Sequence, residues 1–355
     1  MSVTIIARSQ MDQYQTYNQY AQTAAAPDPF GVFRGEKRAI KKNLSGTFIM
    51  ALIHGVGSFI LAQIFFLMLM ASGYEVQYNE ENTLIVDWLY SLAGSMPSII
   101  FCIVLFLVNK SILRQPLSGY LRTDKINGSF MVGTIGVVMF SYAVAIIMQL
   151  LAITGFAAID LSPIAEEYMT APTNDAPYLA EEVLTSIILA PIAEELMFRG
   201  VIMGRLSKVS RRMAIFVSAA FFGMMHGNLL QAILGFIVGI VFAYADLKAE
   251  SLIPSIIGHM FINTAASSSS FIERFAGKDA SDTAWTVTIL MFAILGLITF
   301  LVVLFGRKIS FPEYNEYHKK RVPIMFTCVS LWVTLIYYIF EIVDTFGPMT
   351  DKLRG

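Results

Sequence analysis

The sequence predicts an all-α, polytopic membrane protein of about nine transmembrane helices around a membrane-embedded polar cavity. Three observations lead there. The chain is 56% hydrophobic and only 14% charged, with a mean hydropathy of +0.63, whereas a soluble domain carries about a quarter charged residues. Apolar runs near the ~20 residues needed to span recur along its length. Finally, Lys and Arg alternate from loop to loop as orientation requires.

In chain order, residues 1–45 read as a cytoplasmic, disordered tail, with a Gln/Tyr/Asn-rich stretch from Gln10 to Gln22. The basic cluster Arg34, Lys37, Arg38, Lys41 and Lys42 ends it. Apolar runs follow near 46–72, 87–109, 128–154 and 182–204, then shorter or Gly-interrupted ones near 213–226, 229–247 and 252–268. Two more lie near 284–306 and 323–345. The chain divides into the tail, N-terminal transmembrane helices (46–179), a core (180–270) and C-terminal transmembrane helices (271–355).

With the N-terminus cytoplasmic, the inner segments hold 20 of the 25 Lys and Arg and the outer ones hold 4. That asymmetry puts the N-terminus inside and the C-terminus outside, and the expected location is a bacterial plasma membrane. The outer loop 155–181 has Asp160, Glu166, Glu167, Asp175 and Glu181 and no basic residue. A net charge of −1 argues against nucleic acid as a partner, and the apolar composition makes the lipid bilayer one. Cys102 and Cys328 stand far apart in apolar runs and offer neither a disulfide framework nor metal-ligand spacing. No cleavable signal peptide is visible.

The chemistry is concentrated in three stretches, Glu194-Glu195-Leu-Met-Phe-Arg199, Phe222-Gly-Met-Met-His226 and His259-Met-Phe-Ile-Asn263. Ionisable groups in hydrocarbon are costly, so they face a protein interior or a wet cavity and have a task. At 1.5 Å per residue, Glu194, His226 and His259 fall roughly 16, 21 and 12 Å from the cytoplasmic edge, in one slab near mid-membrane. Glu195 and Arg199, four apart, share a helix face and can pair. Glu194 is rotated about 100° away and can point into a cavity. His259 and Asn263 share a face, as do Phe222 and His226. A carboxylate and an imidazole can activate a water; a second imidazole and an amide suit an oxyanion.

Other polar residues read as structural. His54, in the first run, is expected to be a satisfied buried histidine, and His318 a solvated loop residue. Glu341 and Asp344 fit the membrane interface, and Phe222 packs to orient His226. The run ending at His226-Gly227-Asn228 falls short of a full span. Its hairpin is expected to end inside the membrane and to open a wet cavity toward the cytoplasm.

The ordered set Glu-Glu-x-x-x-Arg, Phe-x-x-x-His and His-x-x-x-Asn, unsubstituted here, resembles the CPBP family over roughly residues 180–270. These are the type II CAAX prenyl endopeptidases and related bacteriocin-processing and lysostaphin-resistance-like intramembrane proteases. The resemblance implies an endopeptidase cutting near a substrate's C-terminus or leader junction. Glu194 and His226 would activate water, and His259 and Asn263 would hold the oxyanion. Glu195, Arg199 and Phe222 would brace the site. Metal dependence stays open: Glu194, His226 and His259 could ligate a divalent ion such as zinc, yet the sequence lacks the helical His-Glu-x-x-His of ordinary zinc proteases. The alternative is a non-catalytic binding or bacteriocin-immunity protein of the same fold. A proton-coupled transporter ranks last, because no internal repeat is seen.

Overall fold

The computed structural model describes residues 29–78, 84–113, 116–157, 171–172, 176–306 and 316–344. The Gln/Tyr-rich stretch, Asp160, Glu166, Glu167 and Asp175, and the side chains of His318 and Asp344 lie outside the described residues. Among the described residues the chain forms ten helices. These are α1 (Pro29–Ala71), α2 (Trp88–Leu113), α3 (Gly128–Ala157), α4 (176–206), α5 (Arg211–Met224), α6 (Leu229–Ala249), α7 (Ile253–Ala276), α8 (Lys278–Phe305), α9 (Glu316–Met325) and α10 (Val329–Asp344). The only sheet among the described residues is small and three-stranded, with β1 (Gln77–Tyr78) antiparallel to β2 (Leu84–Val86) and β2 parallel to β3 (Ala171–Pro172). The architecture is all-α, and the protein is an integral membrane protein.

Two expectations need correction. The segment 1–45 is not wholly irregular, because α1 begins at Pro29 and runs 43 residues. Proline suits a first helical turn, and Glu36-Lys37-Arg38-Ala39 are good helix formers that extend a helix already nucleated by the apolar run. The run 323–345 is broken rather than continuous. Tight turn bonds from the N–H groups of Phe326, Thr327 and Cys328 to the carbonyls three residues back separate α9 from α10, just after Pro323.

Among the described residues, five helices are long and apolar enough to cross a membrane: α1, α2, α3, α6 and α8. Length and composition alone thus mark five spans, and the expected count of about nine rests on the remaining helices. The helices that fail include α4 and α7, which carry Glu194, Glu195, Arg199, His259 and Asn263, and α5, which leads into His226. Large apolar side chains face outward on the lipid-exposed helices, for example Leu67, Val132, Leu150, Val302 and Phe340.

Two buried apolar clusters hold the bundle. One joins α1, α2, α4, α5 and α10 through Phe48, Phe198, Phe221 and Tyr338. The other joins α3, α6, α7 and α8 through Val138, Tyr142, Phe242 and Phe292. α10 closes against α1: Thr334 donates to the Phe48 carbonyl at 3.0 Å, and Tyr338 to that of Ala51 at 2.9 Å.

Basic segments distant in sequence gather at one end. Arg205 donates to Thr47 and Asn109, Asn43 to the Arg205 carbonyl, and Arg321 pairs with Glu36. Lys125 pairs with Glu250 at 2.7 Å. There the Lys125 ammonium, with Arg122 beyond it, holds the Glu250 carboxyl below the usual carboxylate range.

Candidate active site

α4 is one continuous helix with two wider, π-helical stretches, Val183–Leu189 and Leu196–Met203, on either side of Ala190–Glu195. In π register the Ser186 carbonyl would take the N–H five residues on. That residue is Pro191, which has none. The Asn263 amide fills the gap, donating to the Ser186 oxygen at 2.7 Å. The same bond fixes α7 against α4.

Glu195 and Arg199, 0% and 1% exposed, form the predicted (i, i+4) pair, with Nε 3.1 Å from Oε2. The guanidinium also donates to the Gly239 carbonyl at 3.3 Å and lies 4.2 Å above the Phe222 ring. Glu195 then does something the sequence did not reveal: its other oxygen accepts a hydrogen bond from His259 Nδ1 at 2.9 Å. A carboxylate is acceptor-only, so Nδ1 carries the proton and Nε2 is turned toward Glu194 Oε2, 3.9 Å away. Phe242 stacks on the His259 ring, and Phe222 meets it edge-on.

His226 lies just past the end of α5, in the turn completed by Gly227 at φ +71° and by Asn228, whose side chain accepts the Gln231 N–H. His226 Nδ1 donates to the Phe222 carbonyl at 2.9 Å, leaving Nε2 as the free lone pair. Phe222 touches His226, His259 and Arg199. It is the common packing surface of the site rather than a support for His226 alone.

Glu194, His226, His259 and Asn263 line one cavity of about 540 Å³. Beyond them its wall is made of uncharged residues, polar or small ones such as Gly94, Ser98, Ser186 and Gln231 beside apolar ones such as Phe222, Met225 and Leu234. The structure thus brings all four sequence candidates to one volume and sets Glu195 and Arg199 behind them. Glu194 and His259 approach each other, but among the described residues no three His, Cys, Asp or Glu side chains form a metal-holding set.

The direction of the cavity differs from expectation. α5 starts at the Lys/Arg-rich end, so a short α5 leaves its gap at the opposite end. Gly94, Ser98 and Ser186 all lie on that side of Glu194, while Phe198, Arg199 and Phe222 are buried and close the site toward the basic end.

Three contributors escaped the sequence reading. Asp246, 2% exposed, accepts from the Ser255 N–H at 2.9 Å and the Ser255 hydroxyl at 2.6 Å. It thereby caps the first turn of α7 from a neighbouring helix, and His259 is one turn further on the same face. The only available signal was a carboxylate inside an apolar run. A stripe of small residues lets α5 and α6 touch backbone to backbone at Gly223 and Gly235. His54 is buried as expected, but its partners are α2 side chains, the wall residue Ser98 at 3.1 Å and the buried Cys102 at 3.3 Å, which set it directly behind the cavity.

Comparison with known proteins gives two partial likenesses. Residues 177–265 match the family described as Type II CAAX prenyl endopeptidase Rce1-like, so the resemblance drawn from the three motifs holds there. The chain is also 31% identical over 83 residues to "Putative membrane peptidase YdiL" of Bacillus subtilis (strain 168), covering 23% of this chain and 34% of that protein. It therefore spans about a third of the length of that relative. No solved structure matches.

Proposed function

We propose that the protein is an intramembrane endopeptidase that hydrolyses a peptide bond near the C-terminus or leader junction of a membrane-associated substrate. One observation carries the reading: Glu194 and the Nε2 atoms of two histidines are aimed at one cavity, while Glu195 and Arg199 hold the second histidine from behind. Family likeness over 177–265 supports a membrane protease.

In this reading Glu194 and His226 Nε2 hold a water. Its oxygen attacks the scissile carbonyl carbon as Glu194 takes the proton. The negative charge then forming on the carbonyl oxygen meets His259, oriented by Glu195 through Nδ1, and the second amide hydrogen of Asn263. When the tetrahedral adduct collapses, Glu194 returns the proton to the leaving amine. No part of this sequence needs a metal. Orientation belongs to the same proposal, with a bacterial plasma membrane as the location: the Lys/Arg distribution supports a cytoplasmic N-terminus and an outer C-terminus.

The test compares C-terminal ends and small peptides in membranes of cells expressing the natural chain or Glu194→Gln. New ends present only with the natural chain, at equal expression, support the peptidase. Identical content with both proteins folded overturns it in favour of the non-catalytic binding or immunity reading.

A further inference from the structure

The side from which a substrate reaches the site follows from three independent features. First, the basic segments converge at one end of the bundle, as the contacts of Arg205, Lys125 and Arg321 show. By the positive-inside rule that end faces the cytoplasm. Second, between that end and the cavity lies a closed layer of Phe198, Arg199, Phe222 and Phe242, each buried. Third, the hairpin between α5 and α6 stops short of the other end. Gln149 of α3 donates to the Leu230 carbonyl beside the turn at 2.7 Å. α3 continues through Ala157, eight residues further, or about 12 Å at 1.5 Å per residue. A depression is left above the turn, and irregular backbone at that depth is tolerated where it lines a water-filled cavity. Gly94 and Gln231, both exposed, lie along the cavity on that side.

We infer that the cavity opens to the non-cytoplasmic face, and that its substrate is a polypeptide segment presented from outside the cell membrane. The lining refines the class. Among the described residues of the wall Glu194 is the only acidic side chain, and Lys and Arg are absent. A segment threaded there is uncharged around the scissile bond. No Lys or Arg is there to anchor a terminal carboxylate, so an internal bond is cut. The substrate part of this inference rests on the peptidase reading; the direction of opening does not.

The test is cysteine accessibility in intact cells, with a sulfonated, membrane-impermeant methanethiosulfonate as probe. Gly94→Cys and Gln231→Cys report the cavity; a Cβ at Gly94 meets only Phe66, at 4.0 Å. Glu75→Cys, in the exposed turn after α1, and Lys208→Cys, in the exposed turn after α4, report the two faces. The unsubstituted chain, whose Cys102 and Cys328 are buried, gives the blank. The expected result is that Gly94→Cys and Gln231→Cys label in intact cells together with Glu75→Cys. Lys208→Cys should label only after permeabilisation. Cavity labelling that appears only with permeabilisation overturns the inference. So does cavity protection in permeabilised cells in which both face reporters react. If one cavity variant fails to insert, the other decides. Unchanged terminal content with Glu194→Gln would remove the peptidase reading and leave the labelling result standing.

Discussion

Asn263 does two jobs with one amide. One hydrogen pairs the carbonyl that Pro191 leaves open in α4, and the other is free toward the cavity. Replacing it by Ala should cut turnover by about 100-fold or more if it is an oxyanion donor. The orphaned Ser186 carbonyl should also lower stability by about 1–3 kcal/mol. Peptide turnover and thermal midpoint in detergent, measured together, separate the two roles: a lowered midpoint with unchanged turnover would leave only the structural one. This residue also marks the limit of reading by spacing. Pairs set by helical phase, such as Glu195 with Arg199, were legible because three or four residues apart means one face. Glu195 with His259, 64 residues apart, was not, and neither was Asn263 with Ser186. Those pairings exist only once α7 has docked on α4, and no periodicity encodes a docking.

At the scale of elements, the site depends on how closely α5 and α6 approach. A Cβ at Gly223 would collide with the Ala232 carbonyl and the Phe236 amide, backbone atoms that cannot turn aside. Gly223→Ala should therefore cost at least the 1–3 kcal/mol typical of overpacking and displace His226, three residues on. A lowered thermal midpoint together with lost activity is expected; an unchanged midpoint would show that the two helices can separate freely. The sequence announced a short fifth helix and the turn at Gly227-Asn228. It also invited an error about where the missing length falls. The π-helical stretches of α4 were invisible, since an apolar run reads alike in either register. Yet they matter to the site. Eight residues at 100° each would put Ser186 and Glu194 about 80° apart, and wider turns rotate less per residue, so both come to line one cavity.

For the whole molecule, polarity is written in the ends. The Lys125–Glu250–Arg122 cluster ties α6 and α7 to the segment before α3, at the one non-glycine residue with positive φ among those described, Glu250 at +52°. Its carboxyl is held below the usual range by Lys125. The stabilisation is thus present above the unfolded-state pKa and is lost as pH falls through the lowered one. The thermal midpoint should drop on acidification less steeply in Glu250→Gln than in the natural chain. Parallel curves would show that the cluster contributes nothing.

The clasp between α1 and α10 has a consequence for how the protein is made. Tyr338 and Thr334 bond to carbonyls of a helix synthesised 287 and 286 residues earlier. Every catalytic candidate has left the ribosome well before that contact is possible. Every residue lining the cavity precedes Phe305, so a nascent chain halted there would hold the whole wall and lack only the helix that clasps α1.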